Sequence, residues 1–355
     1  MKHLRTVVVG LGRIGWQFHL PQIDSHEGYL LSGVVDPLSD RLAEAADKFG
    51  VAAFPDLPSC LRQVLPDLVV LASPTPLHAE QAEMAFAAGC DVFTDKPMAP
   101  DLATADRMIA AAQHHGRRLT VYQPERGSRE VVCLQSILAQ GLIGDVYMIK
   151  HTRTQYTRRE DWQAWRRHGG GMLNNYGAHL LDACLHVAGG KAEKITCHLR
   201  AIATLGDADD VVKVVIETQN GILLDIDINM ASAQPMLPRW HILGSHGSLQ
   251  LDDEAHAWRA RWFDPAELPP LTVQQGLAAT ARRYGSGEKF PWQEATFPVS
   301  EVQEVDYYGR SHGYFTGTGE AVVALAESRE LMRVLDACRT DAGGSVARTE
   351  DGSTR

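Results

Sequence analysis

Short, uniformly apolar runs alternate with segments of helical periodicity over the first 123 residues. The runs at 7–9 and 68–71 are apolar at every position, which is typical of parallel strands covered on both faces. The strand candidates are 6–9, 30–35, 68–72, 92–94 and 118–122, and the helix candidates are 39–49, 77–88 and 102–115. Strands and helices that alternate at this spacing predict a doubly wound parallel sheet over residues 1–123.

The pattern changes after residue 123, where alternating strands dominate. Leu224, Ile226 and Ile228 alternate with polar residues, which predicts a sheet with one buried and one solvated face. The dipeptide Asn220-Gly221 favours a two-residue hairpin, and the strands from 195 onward are expected to follow one another as a meander. The strand candidates are 146–154, 195–204, 212–218, 222–229, 239–243 and 248–252, and the helix candidates are 129–140, 172–187 and 320–338.

These elements predict an α/β protein of two domains. The first domain comprises residues 1–123, and the second, at 124–340, has a large, mainly antiparallel open sheet. The last residues, 341–355, are rich in Gly, Ser, Thr and charge, and we expect a flexible tail there.

Composition limits the classes of function. With 355 residues, of which 45% are hydrophobic and 22% charged, the chain suits two globular domains and is not disordered. Its formal net charge of −10 argues against nucleic acid as a partner. No apolar run approaches the roughly 18 residues of a membrane span, so no membrane partner is expected. The six cysteines include no C-x-x-C pair, which favours free thiols in a reducing cytoplasm over disulfides or a zinc site.

A glycine-rich turn directly follows the first predicted strand and opens a helix. Its sequence is Gly10-Leu11-Gly12-Arg13-Ile14-Gly15. Gly10 permits a tight turn, Gly12 lets backbone N–H groups approach a pyrophosphate, and Gly15 lets the helix pack close to the sheet. A pyrophosphate would lie at the helix N-terminus, where unpaired N–H groups and the helix dipole favour an anion. The turn therefore predicts a dinucleotide site that includes Arg13 and Ile14.

Asp36, at the end of the second predicted strand, indicates which dinucleotide binds. A carboxylate at this point accepts hydrogen bonds from the adenosine ribose and repels the 2′-phosphate of NADP. This favours NAD over NADP, although Arg13 or Arg41 could still meet a phosphate.

Three further motifs follow in order along the chain. They are Ser73-Pro74-Thr75-Pro76-Leu77-His78, then Thr94-Asp95-Lys96-Pro97, and then Gly169-Gly170-Gly171 with Asn175-Tyr176-Gly177-Ala178-His179 after it. Together with the glycine turn they resemble the Gfo/Idh/MocA oxidoreductases, and the resemblance covers residues 6 to about 218. It implies an N-terminal Rossmann domain and a C-terminal domain whose open sheet forms a homodimer or homotetramer. The substrate would lie between the domains, over the nicotinamide.

The resemblance also assigns residues to the site. Lys96 and His179 match the lysine and histidine that face the reacting carbon in such enzymes, and Asp95 replaces the usual glutamate before the lysine. A cis peptide often precedes the matching proline in relatives, and members of this type work without a metal. The loop that borders the nicotinamide is matched by Ser73, Thr75 and His78.

Asn175 stands where the family usually has a catalytic aspartate. An amide cannot accept a proton, so Asn175 is expected to orient a hydroxyl or the ring of His179 by hydrogen bonds. Oxidation of a secondary alcohol requires a proton acceptor, and His179 suits this role with an unperturbed pKa near 6.5. Lys96 is expected to stabilise the developing alkoxide as an electrostatic partner or to act as a co-base.

The segment 151–168 contains five arginines and carries a local charge of +3. In relatives this stretch lies over the cleft, so Tyr156 and Trp165 are candidates for stacking on a sugar ring, and an arginine could bind a carboxylate or phosphate. Salt bridges between subunits explain the same arginines equally well. Arg126 is a further substrate candidate. Asp182 and His186, on the helix of His179, are interpreted as packing groups and not as metal ligands.

The sequence therefore predicts a cytoplasmic NAD-dependent dehydrogenase of a sugar, cyclitol or related polyol. Two other functions remain open. A non-catalytic NAD-binding regulator would fit the change at Asn175, although it would not need both Lys96 and His179. A redox-neutral enzyme would oxidise a sugar transiently to cleave a glycoside, and it would retain its NAD.

Overall fold

The computed structural model describes residues 3–271, 275–276 and 288–343. It contains two β-sheets, one of six strands and one of eight. Of the tail predicted at 341–355, residues 344–355 lie outside the described residues. In the described part of the chain, no helix combines the length and the apolar character needed to cross a membrane.

The first sheet is parallel throughout and confirms the predicted doubly wound architecture. Its strands are β1 (Leu4–Val9), β2 (Tyr29–Val35), β3 (Ala53–Phe54), β4 (Leu68–Leu71), β5 (Asp91–Asp95) and β6 (Leu119–Tyr122), in the spatial order β3-β2-β1-β4-β5-β6. The connecting helices are α1 (Leu20–Ser25), α2 (Ser39–Phe49), α3 (Leu57–Val64), α4 (His78–Ala87) and α5 (Leu102–His114). The short elements β3 and α3 were not predicted, although Asp56 provides an N-cap for α3 by accepting a hydrogen bond from the Ser59 N–H at 2.7 Å.

The second sheet has eight strands and is antiparallel except at one position. Its strands are β7 (Val146–Thr154), β8 (Ala192–Arg200), β9 (Val211–Thr218), β10 (Leu223–Asn229), β11 (Trp240–Gly244), β12 (Gly247–Asp252), β13 (Ala257–Trp262) and β14 (Gln293–Pro298). The spatial order is β14-β13-β12-β11-β7-β10-β9-β8. Leu224, Ile226 and Ile228 are buried while their neighbours in β10 are only half-buried, which confirms the two-faced pattern.

The predicted meander is wrong at its centre, because β7 lies between β10 and β11 and runs parallel to β10. β7 supplies the buried residues Ile149 and His151 to the core, and periodicity alone does not show where in a sheet such a strand is placed. The strands β13 and β14, which were not predicted, extend the sheet beyond β12.

Two boundaries in this sheet also differ from prediction. β8 ends at Arg200 rather than 204, because the Asp210 carboxylate accepts hydrogen bonds from the N–H groups of residues 202–204 and withdraws them from strand pairing. The hairpin between β9 and β10 has a three-residue loop rather than a two-residue one. Thr218 N–H donates to Ile222, and Gly221 takes the left-handed conformation (φ 82°) typical of three-residue loops.

Four helices complete the second half of the chain: α6 (Arg129–Leu138), α7 (Ala178–Ala188), α8 (Tyr307–Thr316) and α9 (Leu325–Asp341). The helix predicted at 172–187 begins with a π-turn at Leu173–Gly177 before α7. The helix predicted at 320–338 begins later, after Ala324, whose N–H donates to the Glu327 carboxylate at 3.0 Å. The unpredicted α8 packs its aromatic face against the first sheet, where Tyr308 and Phe315 join the core around Phe93.

Candidate active site

The glycine turn has the geometry of a dinucleotide cradle. Gly10 has φ 94°, and a Cβ there would lie 2.7 Å from the backbone of Ala72. A Cβ on Gly15 would lie 1.9 Å from the Gly10 carbonyl oxygen, so helix and turn pack without space for a side chain. Gly12 is different, because a Cβ there would meet no atom within 4 Å. Gly12 therefore borders open space, and a bound group can approach the backbone at this point.

Asp36 lies at the rim of this turn. Its buried carboxylate accepts hydrogen bonds from the N–H groups of Leu11 at 2.7 Å and Leu38 at 3.0 Å. Arg41 Nη1 lies 3.4 Å from Asp36 Oδ2, so this arginine is paired with the carboxylate. Arg13 is exposed and Ile14 half-buried. The structure thus brings the predicted carboxylate and the glycine turn together.

The loop after β4 is braced from within by His78. Its Nε2 lies 2.8 Å from the Ser73 carbonyl oxygen, and its Nδ1 lies 3.2 Å from Thr94 Oγ1. Burial lowers the pKa of His78, so the neutral ring donates to the carbonyl and accepts from the hydroxyl. His78 and the buried Thr75 therefore shape the loop that borders the expected nicotinamide position.

Lys96 projects from the end of β5 toward the second half of the chain. Its Nζ donates hydrogen bonds to the backbone carbonyl oxygen of Asn175 at 3.0 Å and to Asn175 Oδ1 at 3.3 Å. Burial lowers the pKa of Lys96 to about 8; Asp95 opposes this shift and Arg13 adds to it. The Lys96-Pro97 peptide is cis, as the resemblance implied.

Asp95 is held by two groups, one of which was not predicted from the sequence. Its Oδ1 accepts from the Lys96 N–H at 2.6 Å, and its Oδ2 lies 3.7 Å from Nε2 of the buried His19. Burial raises the pKa of Asp95, but His19 and Lys96 outweigh burial and lower it overall. The other ring nitrogen of His19 lies 2.5 Å from Tyr308 Oη, so α8 supports this side of the site.

His179 lies in the first turn of α7, directly after the π-turn that contains Asn175. Its Nδ1 is buried and has no hydrogen-bond partner among the described residues. Burial and the positive charges of Lys96 and Arg153 lower the pKa of His179 well below its usual value, and Asp95 opposes them. The ring is therefore neutral near pH 7 and able to accept a proton.

The side chain of Asn175 is oriented from both ends. Its Oδ1 accepts from Lys96, and its Nδ2 donates to Gln163 Oε1 at 2.8 Å. Gln163 was not predicted as a site residue. The start of the π-turn is fixed by Asp209, whose carboxylate accepts from the Leu173 N–H at 2.8 Å.

Arg126 is not placed with these residues. It is buried, and it donates to both carboxylate oxygens of Asp182, at 2.8 and 2.5 Å, and to Glu327 at 2.9 Å. Its donors hold α7 and α9 together, and with Asp182 and Glu327 it lines a cavity beside these two helices. Asp182 is thus a packing group, as interpreted from the sequence, and His186 contacts Gln135 at 3.0 Å. Among the described residues, no three His, Cys, Asp or Glu side chains form a group that could hold a metal.

The aromatic residues of the segment 151–168 are largely at the surface. Tyr156 is 60% exposed, and the half-buried Trp165 is covered by the Arg167 guanidinium, 4.7 Å from its ring centroid.

Arg153 and Arg159 are the half-buried arginines of this segment, and each has a buried Nε without a hydrogen-bond partner in the described structure. Arg159 pairs with Asp161 at 3.3 Å. Arg153 instead lies against an aromatic ring. Its guanidinium carbon lies 5.1 Å from the ring centroid of Tyr176.

Two family models match the chain in order. Residues 4–123 match the "Oxidoreductase family, NAD-binding Rossmann fold" model of the Gfo/Idh/MocA group, and residues 131–250 match the "GFO/IDH/MocA C-terminal domain" model.

Curated relatives include dehydrogenases. Inositol 2-dehydrogenase of Streptomyces avermitilis is 29% identical over 256 residues, which cover 70% of this chain and 73% of the relative. D-Glucoside 3-dehydrogenase of Escherichia coli K12 is 30% identical over 198 residues, which cover 54% of this chain and 56% of the relative.

Solved structures share the fold over nearly the whole chain. An NAD-binding protein from Listeria innocua has a TM-score of 0.82 at 23% identity, covering 97% of this chain and 98% of that one. The WlbA dehydrogenase from Bordetella pertussis, solved with NADH and UDP-GlcNAcA, has a TM-score of 0.75 at 22% identity, covering 96% and 97%. These similarities confirm the two-sheet architecture.

Proposed function

The chain belongs to the Gfo/Idh/MocA family of NAD-binding oxidoreductases, and from this premise we propose that it oxidises a secondary alcohol of a sugar, cyclitol or related polyol, or reduces the matching ketone. One observation carries the proposal. The ammonium group of Lys96, from the first half of the chain, reaches Asn175, four residues before His179 on the same helical segment. This contact supports a site at the boundary between the two halves, in which Lys96 is the donor and His179 the neutral base.

The glycine turn fits a dinucleotide. Gly12 leaves open space over the backbone, and the carboxylate of Asp36 lies beside the turn with Leu11 N–H as its neighbour. A nicotinamide dinucleotide would be held by Gly10, Gly12, Arg13, Ile14, Gly15, Asp36, Ser73, Thr75, His78, Asp95 and Lys96. When bound, it supplies the hydride acceptor or donor. The negative charge of Asp36 supports NAD over NADP, and the pairing of Arg41 with Asp36 leaves that arginine less available to a 2′-phosphate.

The proton of the reacting hydroxyl is assigned to His179. Since burial and neighbouring cations keep its pKa well below the usual value, the ring is unprotonated at neutral pH. An unprotonated ring can accept the proton as the carbonyl forms. In the reductive direction the same ring returns the proton.

Lys96 is assigned the role of electrostatic partner. Two of its N–H groups point to Asn175, and the third remains to donate to the substrate oxygen as negative charge develops. A pKa of about 8 keeps most of the side chain charged at pH 7. Asn175 and Gln163 then act as positioning residues, because their amides hold each other and the lysine in place.

An NADH-absorbance screen tests this proposal. Polyols, inositols, aldoses and sugar acids are offered with NAD and with NADP, and we expect NADH formation with at least one class. If NAD is retained through purification and glycosides are cleaved without net NADH, the redox-neutral function replaces the proposal. Cofactor binding without turnover of any substrate would identify a regulator instead.

The open face of the eight-stranded sheet supports self-association into a homodimer or homotetramer. On this face Lys213 pairs with Asp225 and with Asp227, and Lys150 lies 3.5 Å from Asp225. Light scattering on the purified chain gives the number of copies, and a monomer would remove this part of the proposal. The six free, buried cysteines support a cytoplasmic location.

A further inference from the structure

Arg153 lies on the face of β7 that packs beneath α7. His151, two residues earlier on the same face, is buried, with Nδ1 3.9 Å from Cys184 Sγ on α7 and its ring stacked 3.6 Å from Trp240. Because alternate residues of a strand share a face, Arg153 points to the start of the same helix. Its guanidinium there lies over the ring of Tyr176, between Asn175 and His179 in sequence.

The charge of Arg153 has no carboxylate partner in an ion pair among the described residues, and its Nε is buried without an acceptor. Other buried or half-buried arginines of this chain are paired: Arg126 with Asp182, Arg239 with Glu130, and Arg333 with Glu330. A buried donor without an acceptor destabilises the protein, so an unpaired guanidinium over Tyr176, three residues before His179, is a candidate for binding a ligand.

The charged groups around Arg153 do not neutralise it. Lys96 adds a second positive charge near His179, and Asp95 is already bound to the Lys96 N–H. The positive charge of Arg153 affects the pKa of Glu125, but the two side chains form no ion pair in the described structure. Burial and Glu130 raise the pKa of Glu125, and Arg239 and Arg153 oppose that rise. Glu125 is therefore a poor permanent counterion.

We propose, resting on the dehydrogenase function above, that Arg153 binds an anionic group of the substrate and that the substrate is a polyol acid. A carboxylate fits best, since its two oxygens can accept two parallel hydrogen bonds from one planar guanidinium group. The ring of Tyr176 packs against the guanidinium group and stabilises its position. The acid group is expected near the oxidised carbon, because Tyr176, which contacts the guanidinium, lies in the π-turn of Asn175 and three residues before His179.

The test compares an acid, a neutral and a phosphorylated sugar with the full chain. D-Glucuronate, D-glucose and D-glucose 6-phosphate are assayed with NAD for the unmodified chain, for Arg153→Gln and for Arg158→Gln. Arg158 is an exposed arginine of the same segment and serves as the matched control. We expect glucuronate to have the highest kcat/KM. Arg153→Gln should reduce the ratio of kcat/KM for glucuronate over glucose by about 100-fold, mostly through KM, and Arg158→Gln should leave the ratio unchanged.

A binding measurement separates this inference from the dehydrogenase function itself. Calorimetry with D-gluconate on the NADH-loaded chain should show binding that Arg153→Gln abolishes and Arg158→Gln retains. This holds even if none of the three sugars is oxidised, an outcome that would count against the proposed function alone. Equal gluconate binding by all three proteins, or an equal loss of glucose and glucuronate turnover in Arg153→Gln, would overturn the inference. A preference for glucose 6-phosphate would overturn the assignment to a carboxylate.

Discussion

The Nζ atom of Lys96 lies 3.0 Å from the backbone carbonyl oxygen of Asn175. This contact joins the end of β5 to the π-turn before α7, so it connects the two halves of the chain. Because His179 follows Asn175 by four residues, the contact also sets the position of the ammonium group relative to the imidazole. The charge of Lys96 in turn lowers the pKa of His179. The proposed donor and the proposed base therefore depend on each other.

Alanine at Gly12 and at Gly15 should have opposite consequences. Gly12 borders open space, so Gly12→Ala should fold normally and weaken NADH binding by about tenfold or more as its methyl group enters the cradle. Gly15→Ala places a methyl group 1.9 Å from the Gly10 carbonyl oxygen and should destabilise the protein by about 1–3 kcal/mol. Thermal unfolding and NADH titration measure the two effects, and similar behaviour of both variants would contradict this assignment.

Asp36 should determine the preference between the two dinucleotides. Asp36→Asn removes the negative charge and keeps an oxygen for the Leu11 N–H, so we expect the ratio of kcat/KM for NADP over NAD to rise by about tenfold or more. Asp40→Asn, at an exposed acid of α2, is the control and should leave the ratio unchanged. An unaltered ratio in Asp36→Asn would exclude Asp36 from cofactor selection.

The pH dependence of oxidation should report both titrating groups. Lys96 has a pKa lowered to about 8 and acts as the charged donor, so kcat/KM should fall as pH rises above about 8. His179 acts unprotonated with a pKa well below 6.5, so the acid limb should lie well below that pH. Lys96→Arg keeps its charge at high pH and should remove the alkaline limb. A rate that rises through pH 8 would identify the neutral amine of Lys96 as a co-base.

Replacing Asn175 with aspartate should move that alkaline limb upward. A carboxylate at the position of Oδ1, 3.3 Å from Lys96 Nζ, favours the ammonium form and should raise the pKa of Lys96 by about one unit or more. Asn174→Asp is the neighbouring control, because the Asn174 amide is turned to the carbonyl oxygens of Gly169 and Gly170. If the pH profile of Asn175→Asp matches that of the unmodified chain, Asn175 does not control Lys96.

The parts of the site that could be predicted from the sequence are those with a local signal. The glycine turn and Asp36 follow predicted strands, and the motifs around Lys96 and His179 are short and contiguous. Strand pattern also predicted both sheets. It did not place β7 beside β10, since alternation shows which face is buried and says nothing about the neighbouring strand.

The remaining site residues depend on partners that are distant in sequence. The ring of His19 lies against Tyr308, 289 residues further along the chain, and no pattern near either residue indicates that contact. Gln163 reaches Asn175 because the glycine-rich segment 169–171 folds back against residue 163. In this contact the Gly171 N–H donates to the Gln163 carbonyl oxygen. Arg153 is one of five arginines in its segment, and only the packing against Tyr176 distinguishes it.

The most direct measurement combines NADH titration with the rate of NADH formation on one preparation of His179→Ala. With its proton acceptor removed, the variant should lose about 100-fold or more in rate and bind NADH within about threefold of the unmodified chain. The control is His186→Ala. His186 lies seven residues after His179 on the same helix and contacts Gln135, so this variant should keep its rate. An unchanged rate in His179→Ala, with NADH still bound, would contradict the central claim that this imidazole takes the proton.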